Sequence, residues 1–147
     1  MYNTAKGKQE FWTTFGQYMA PVLSSEGEKV NWINYKTGIR HIYFRMDAGK
    51  DFASMAIELR HPDEDVQMEY FEKMRGFKDL LETTVGEPWE WEGGLRDEYG
   101  VVYSRISKTI EGVNIFEKEL WPPIISFFKP RLMAVDAWWS DVRMMIA

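Results

Sequence analysis

Between Ile39 and His61 the chain reads IRHIYFRMDAGKDFASMAIELRH, and apolar and polar residues alternate on both sides of Asp47-Ala48-Gly49-Lys50. Side chains on a strand point to opposite faces with a period of two, so this pattern constrains the fold more than any other in the chain. It predicts strands over 39–46 and 51–61, folded back on each other as a hairpin. With Ala48-Gly49 as a two-residue loop, Ile42 pairs with Met55, Phe44 with Ala53 and Arg40 with Ile57, while Tyr43 meets Ser54 and His41 meets Ala56. Ile42, Phe44, Met46, Ala53, Met55, Ile57 and Leu59 then share one face. The other carries His41, Tyr43, Arg45, Phe52, Ser54, Glu58 and Arg60. A one-residue slip would turn one strand's apolar set to water, so the two alternations reinforce each other.

An apolar face needs a cover, and three stretches with helical spacing can supply it. Residues 8–23 place Phe11, Phe15, Tyr18, Met19 and Val22 on one stripe, closed by Pro21. Residues 63–85 open on acids, hold Val66, Tyr70, Met74, Phe77, Leu81 and Val85 in phase, and contain Gly76, which marks close packing or a kink. The last stretch begins Trp121-Pro122-Pro123, where proline suits a first helical turn. It carries Ile124, Phe128, Leu132, Val135, Trp139, Val142 and Ile146 on one side, and Pro130 should kink it. Trp138 and Trp139 are adjacent, so one of them is expected at a rim, a cleft or a contact between copies of the chain. Further strand signal lies in Trp89–Glu92 and 101–107; Gly93-Gly94 reads as a break into a loop reaching Gly100, and 108–115 as a turn or short helix. The order predicts one α+β domain over 1–147, an antiparallel sheet packed against an N-terminal helix, a central helix and a kinked C-terminal helix.

With 147 residues and 45% apolar side chains the chain can bury a core unaided. It has no cysteine, which excludes disulfides, thiolate metal sites and cysteine nucleophiles and fits a reducing compartment. The start MYNTAKGKQEFW lacks a signal-peptide pattern. LWPPIISFF, the longest uncharged apolar stretch near the C-terminus, falls far short of the ~20 residues needed to cross a bilayer. The expectation is a cytoplasmic protein that does not enter a membrane and needs no cofactor. A net charge of −5 opposes broad nucleic-acid binding, so any phosphate contact would have to be local.

Basic and aromatic residues do concentrate on the hairpin. Tyr35, Lys36, His41, Tyr43, Arg45, Glu58, Arg60 and Arg105 form the candidate ligand-binding set, with Arg40, His61 and Trp32 nearby. Arginine and lysine contact phosphates and aromatic rings stack on bases, so an anionic ligand or nucleic acid is the first reading. The rival reading is a metal-dependent phosphodiesterase, with Asp47 or Asp51 joined to Glu58 and Arg60, because hard cations take carboxylate oxygens. Arginine is a poor proton acceptor and acids beside a turn need no catalytic reason, so no residue is assigned as catalytic or as a metal ligand. His41 and His61 fall on opposite faces in this register and are not expected to share an ion. A third reading is homodimerisation or another protein contact through the tryptophan-rich C-terminal helix.

FWTTF, NWINYKTGIRHIYFRMD, IELRHPDEDVQ, WEWE, YSRIS and LWPPIISFFKPRLMAVDAWW together resemble the DUF4268 family of uncharacterised bacterial and archaeal domains, over nearly the whole chain. Members of that family are similar to the C-terminal half of larger proteins that carry a nuclease-like domain in front. The resemblance implies an accessory domain working near nucleic acid with a nuclease-like partner protein, and it carries over no catalytic residue.

Overall fold

The computed structural model describes residues 4–147. Among them, α1 (Thr4–Met19) is followed by an irregular segment and the hairpin β1 (Ile42–Ala48) and β2 (Phe52–Leu59). Then come α2 (Glu64–Arg75), α3 (Lys78–Val85), β3 (Glu90–Arg96), β4 (Val102–Glu111), a 3-10 turn at Lys118–Leu120, and α4 (Trp121–Ile146). The strands form one antiparallel sheet in the order β1-β2-β4-β3. The fold is α+β as expected, with N-terminal, central and kinked C-terminal helices.

The two faces of the hairpin are those the alternation dictates, but the pairing differs. Ile42 lies opposite Leu59, Phe44 opposite Ile57 and Met46 opposite Met55. The Gly49 N–H donates to the Phe52 carbonyl at 2.9 Å, so the turn sits at Lys50-Asp51, two residues beyond Ala48-Gly49. A Cβ on Gly49 would lie 2.6 Å from the Phe52 ring, so a side chain here would push that ring aside. An even shift preserves which way each side chain points, and that is why the faces survive the changed partners. The strand also starts later than expected. Gly38 (φ 82°) and His41 (φ 70°) turn the chain, and the Thr37 hydroxyl donates to the Ile42 carbonyl at 2.8 Å. Arg40 and His41 therefore lie before β1 rather than in it.

The helices cover the apolar face. Ile42, Phe44, Ala53, Met55, Ile57, Leu59 and Ile106 are buried with Phe71 and Met74 of α2 and the inner side of α4. Phe11 of α1 meets Trp121 and Phe128 of α4 with ring centroids 5.4 and 6.4 Å apart. Tyr18, expected on the buried stripe, lies outside beside Lys129.

The 63–85 stretch is two helices. Asp63 caps the first, its carboxylate accepting from the Asp65 and Val66 N–H groups. The chain breaks at Gly76-Phe77, where the Phe77 carbonyl accepts from the Trp138 indole at 3.1 Å and from the Leu81 N–H at 3.0 Å. Gly93-Gly94 does not end β3 but forms a bulge: β3 advances from Glu92 to Leu95 while β4 moves only from Arg105 to Tyr103. Close approach of α2 explains glycine here, since a Cβ on Gly93 would meet Met68 at 3.2 Å and Phe71 at 3.3 Å. β4 continues through Lys108–Glu111, with Glu111 opposite Phe52, where a turn or short helix was expected.

Trp138 and Trp139 are both fully buried, against the expectation that one would reach a rim. α4 is flanked on two sides: the Trp138 indole donates to Phe77, while that of Trp139 donates to the Thr37 carbonyl at 2.7 Å. Packing between two neighbours buries a wider arc of a helix than packing on one sheet. No helix among the described residues is long and apolar enough to cross a membrane.

Candidate functional site

Because the helices share one face of the sheet, the opposite face is open, and pairing brings its polar side chains into rows. Tyr43, Glu58, Arg105 and Glu92 are successive neighbours across β1, β2, β4 and β3. In the adjoining row Arg45, Ala56, Ser107 and Glu90 follow one another. At the other end of the face Arg60, just beyond β2, lies over the Tyr103 ring at 4.3 Å.

Glu58 is the centre of this arrangement. Its Oε1 accepts from Arg60 Nε at 2.8 Å and lies 3.7 Å from Arg45 Nε. Arg60 Nη1 also donates to Asp97 at 3.1 Å, and Arg105 Nη2 to Glu92 at 2.9 Å. Arg45 lies over Tyr43 at 4.3 Å. Burial alone would lower the Arg60 pKa, but the hydrogen bonds and charges of Glu58 and Asp97 outweigh it and hold the guanidinium above its ordinary value. Arg105 is raised in the same way, burial being overcome by Glu92, Tyr103 and Glu58. Asp97 is held below its ordinary value, with the Val101 N–H as the largest cause and Tyr99 N–H and Arg60 adding to it. Carboxylates and tyrosine rings thus orient the guanidinium groups of Arg60 and Arg105, while Arg45 lies over Tyr43 and nearer to solvent.

Five of the eight candidate residues, Tyr43, Arg45, Glu58, Arg60 and Arg105, are brought together here. His41 stands at the end of the face, and its ring centroid is 5.1 Å from that of His61. The expected separation of the two histidines on opposite faces is therefore wrong: the turn at His41 takes it out of the strand alternation, and its carbonyl accepts from Arg60 N–H beside His61. Asp51 sits in the hairpin turn, about 20 Å along the strand from Glu58, and Asp47 pairs with Lys8. No group of three or more histidine and carboxylate side chains among the described residues is placed to hold a metal ion. The phosphodiesterase constellation is not assembled.

Tyr35 and Lys36 lie elsewhere, in a cleft of about 350 Å³ between the 24–36 segment and α4. The Tyr35 ring stacks on Phe44, with centroids 4.5 Å apart, and its hydroxyl donates to Oδ1 of the buried Asp136. Asp136 Oδ2 accepts from the Ser25 N–H at 2.8 Å. Burial, and then the Asp136 carboxylate, push the Tyr35 hydroxyl well above its ordinary pKa. Lys29, Lys36 and Arg143 line the same cleft.

Sequence reasoning missed Tyr103, Glu92 and Asp97 on the open face, and Asp136 and Arg143 in the cleft. Tyr103 and Glu92 had a signal, since strand alternation places Tyr103 with Arg105 and Glu92 opposite Trp91. Asp136 had one too: it is an acid beside Val135 and Trp139 on the apolar side of α4.

No curated protein and no solved structure matches the chain significantly. A family described as a domain of unknown function, DUF4268, matches residues 7–143. The chain belongs to the DUF4268 family.

Proposed function

We propose that this domain is a binding module whose open sheet face docks on another protein, the nuclease-like partner that the family resemblance implies. The observation that carries this reading is the set of Arg45, Arg60 and Arg105 with Tyr43 and Tyr103 on a face that no helix among the described residues covers. Arginine and tyrosine are the residues that dominate protein–protein contacts, and rigid aromatic and guanidinium planes lose little entropy on binding. Charge favours a protein over nucleic acid. Each of the three arginines is held by a carboxylate of its own face, and Glu58, Glu90, Glu92 and Asp97 outnumber them. A phosphate chain would have to displace these acids against a net charge of −5.

The test measures binding of the native chain and of Arg60→Glu to a nuclease-like protein encoded beside it, and to single-stranded and duplex oligonucleotides over a salt series. Native binding to the protein, weakened at least about tenfold by Arg60→Glu, supports the reading. Oligonucleotide binding that weakens steeply with salt and is lost in the variant would replace it with the nucleic-acid reading.

A further inference from the structure

The cleft beside Asp136 differs from the open face in the state of its charges. Glu26, Glu28 and Asp136 line it together with Lys29, Lys36 and Arg143, three acids and three bases. No ion pair joins any of these six among the described residues, whereas the charges of the open face close directly onto one another. Opposite charges held apart across a cleft create a field complementary to a ligand that carries both signs.

The polar floor is built. Asp136 is 3% exposed and is held from two sides, by the Tyr35 hydroxyl and the Ser25 N–H. Each of its oxygens accepts one hydrogen bond from the protein, and an ionised carboxylate has about four acceptor positions, so it retains capacity toward the cleft. Arg143 lies two helical turns beyond Asp136 on the same side of α4, about 10 Å along the axis. Helical side chains lean toward the N-terminus, which carries its guanidinium back toward Asp136. Its stem passes over Gly38, where a Cβ would lie 3.6 Å from Arg143 Cδ. The Arg143 charge reaches Tyr35, whose hydroxyl it acts on. Asn31, whose Oδ1 accepts from the Ile33 and Asn34 N–H groups, and Asn34 add amide groups to the wall. A volume of about 350 Å³ is at the small end of ligand pockets, which run from about 300 to 1,000 Å³.

We infer that this cleft binds a small zwitterion of the α-amino-acid class, its carboxylate taken by Arg143 and Lys36 and its ammonium by Asp136. The site is separate from the open face and does not depend on the docking reading.

The experiment titrates the native chain with the twenty common α-amino acids, first pooled and then singly, by calorimetry and by amide chemical shifts. Acetate, inorganic phosphate and ethylammonium serve as single-charge controls. The expected result is saturable binding of one or a few amino acids, with shifts confined to residues 24–38 and 136–143. Lys36→Gln, an exposed change that leaves the floor intact, and Arg143→Gln should each weaken binding about tenfold or more. Lys36→Gln unfolding at the native urea midpoint shows that any loss is local. Phosphate or acetate binding as well as the best amino acid would overturn the inference and leave a plain anion site. No binding of any amino acid at about 10 mM would overturn it outright.

Discussion

Tyr35 and Glu58 show how single residues set the character of the two regions. Tyr35 gives its hydroxyl to a carboxylate that is only 3% exposed, so Tyr35→Phe takes one of the two protein donors away from Asp136. The expected cost is about 1–3 kcal/mol, read as a lower urea midpoint with an unchanged slope. The same contact has a pH signature. The folded pKa of Tyr35 is raised above the ordinary tyrosine value of 10.0, so its contribution is complete below that value and is lost as pH rises above it. Tyr35→Phe should lack this part of the alkaline loss, and chemical denaturation at pH 8 and above 10 compares the two proteins. Glu87 gives the opposite sign. Burial raises its pKa, but bonds from Arg131 and the Trp89 indole outweigh burial and leave it below the ordinary range. Its contribution is present at neutral pH and is lost as pH falls through that lowered pKa. Arg131→Gln should therefore flatten the acid limb of the stability curve. At Glu58 two arginines share one carboxylate that is only 16% exposed. A double-mutant cycle between Glu58→Gln and Arg60→Gln should return a coupling of about 1 kcal/mol, above that of a fully exposed pair.

At the scale of elements, α4 joins parts of the fold that are distant in sequence. Its two adjacent tryptophans use their polar tips in opposite directions, one at the α2–α3 break and one at the turn before β1. Trp138→Phe keeps most of the apolar area but loses the indole donor and leaves a gap. A loss of about 1–3 kcal/mol is expected, with the amides around Phe77 showing the largest fall in hydrogen-exchange protection. Helix periodicity announced that 66–85 is helical, yet not that it is two helices, because Tyr70, Met74, Phe77 and Leu81 hold the same apolar stripe either way. The break depends on a donor from a tryptophan 61 residues further along. Gly93-Gly94 reads as a chain break because the glycines interrupt strand propensity. The structure uses them as a bulge under α2, which needs side-chain-free backbone at the point of closest approach.

For the whole molecule, one layer of helices on one face of a sheet leaves the other face open among the described residues. The far end of α4 also exposes Met144 and Met145. Changing both to aspartate should alter stability by less than about 0.5 kcal/mol, since neither packs in the core. A sedimentation profile that differs between this variant and the native chain would identify the helix end as a contact between copies. The sequence by itself determined most of the secondary-structure types, the greater part of the apolar stripes of α1 and α4, and the two faces of the hairpin. Those follow from periodicity along the chain, which survives a changed turn or a shifted register. Only the tertiary structure decided that β4 lies between β2 and β3, so that Glu58 meets Arg105 and Arg60 meets Tyr103. It alone decided that Tyr35 leaves the hairpin surface for Asp136, 101 residues away. Periodicity records which way a side chain points relative to its own backbone; which distant segment it then meets depends on how the helices and strands close around a shared core.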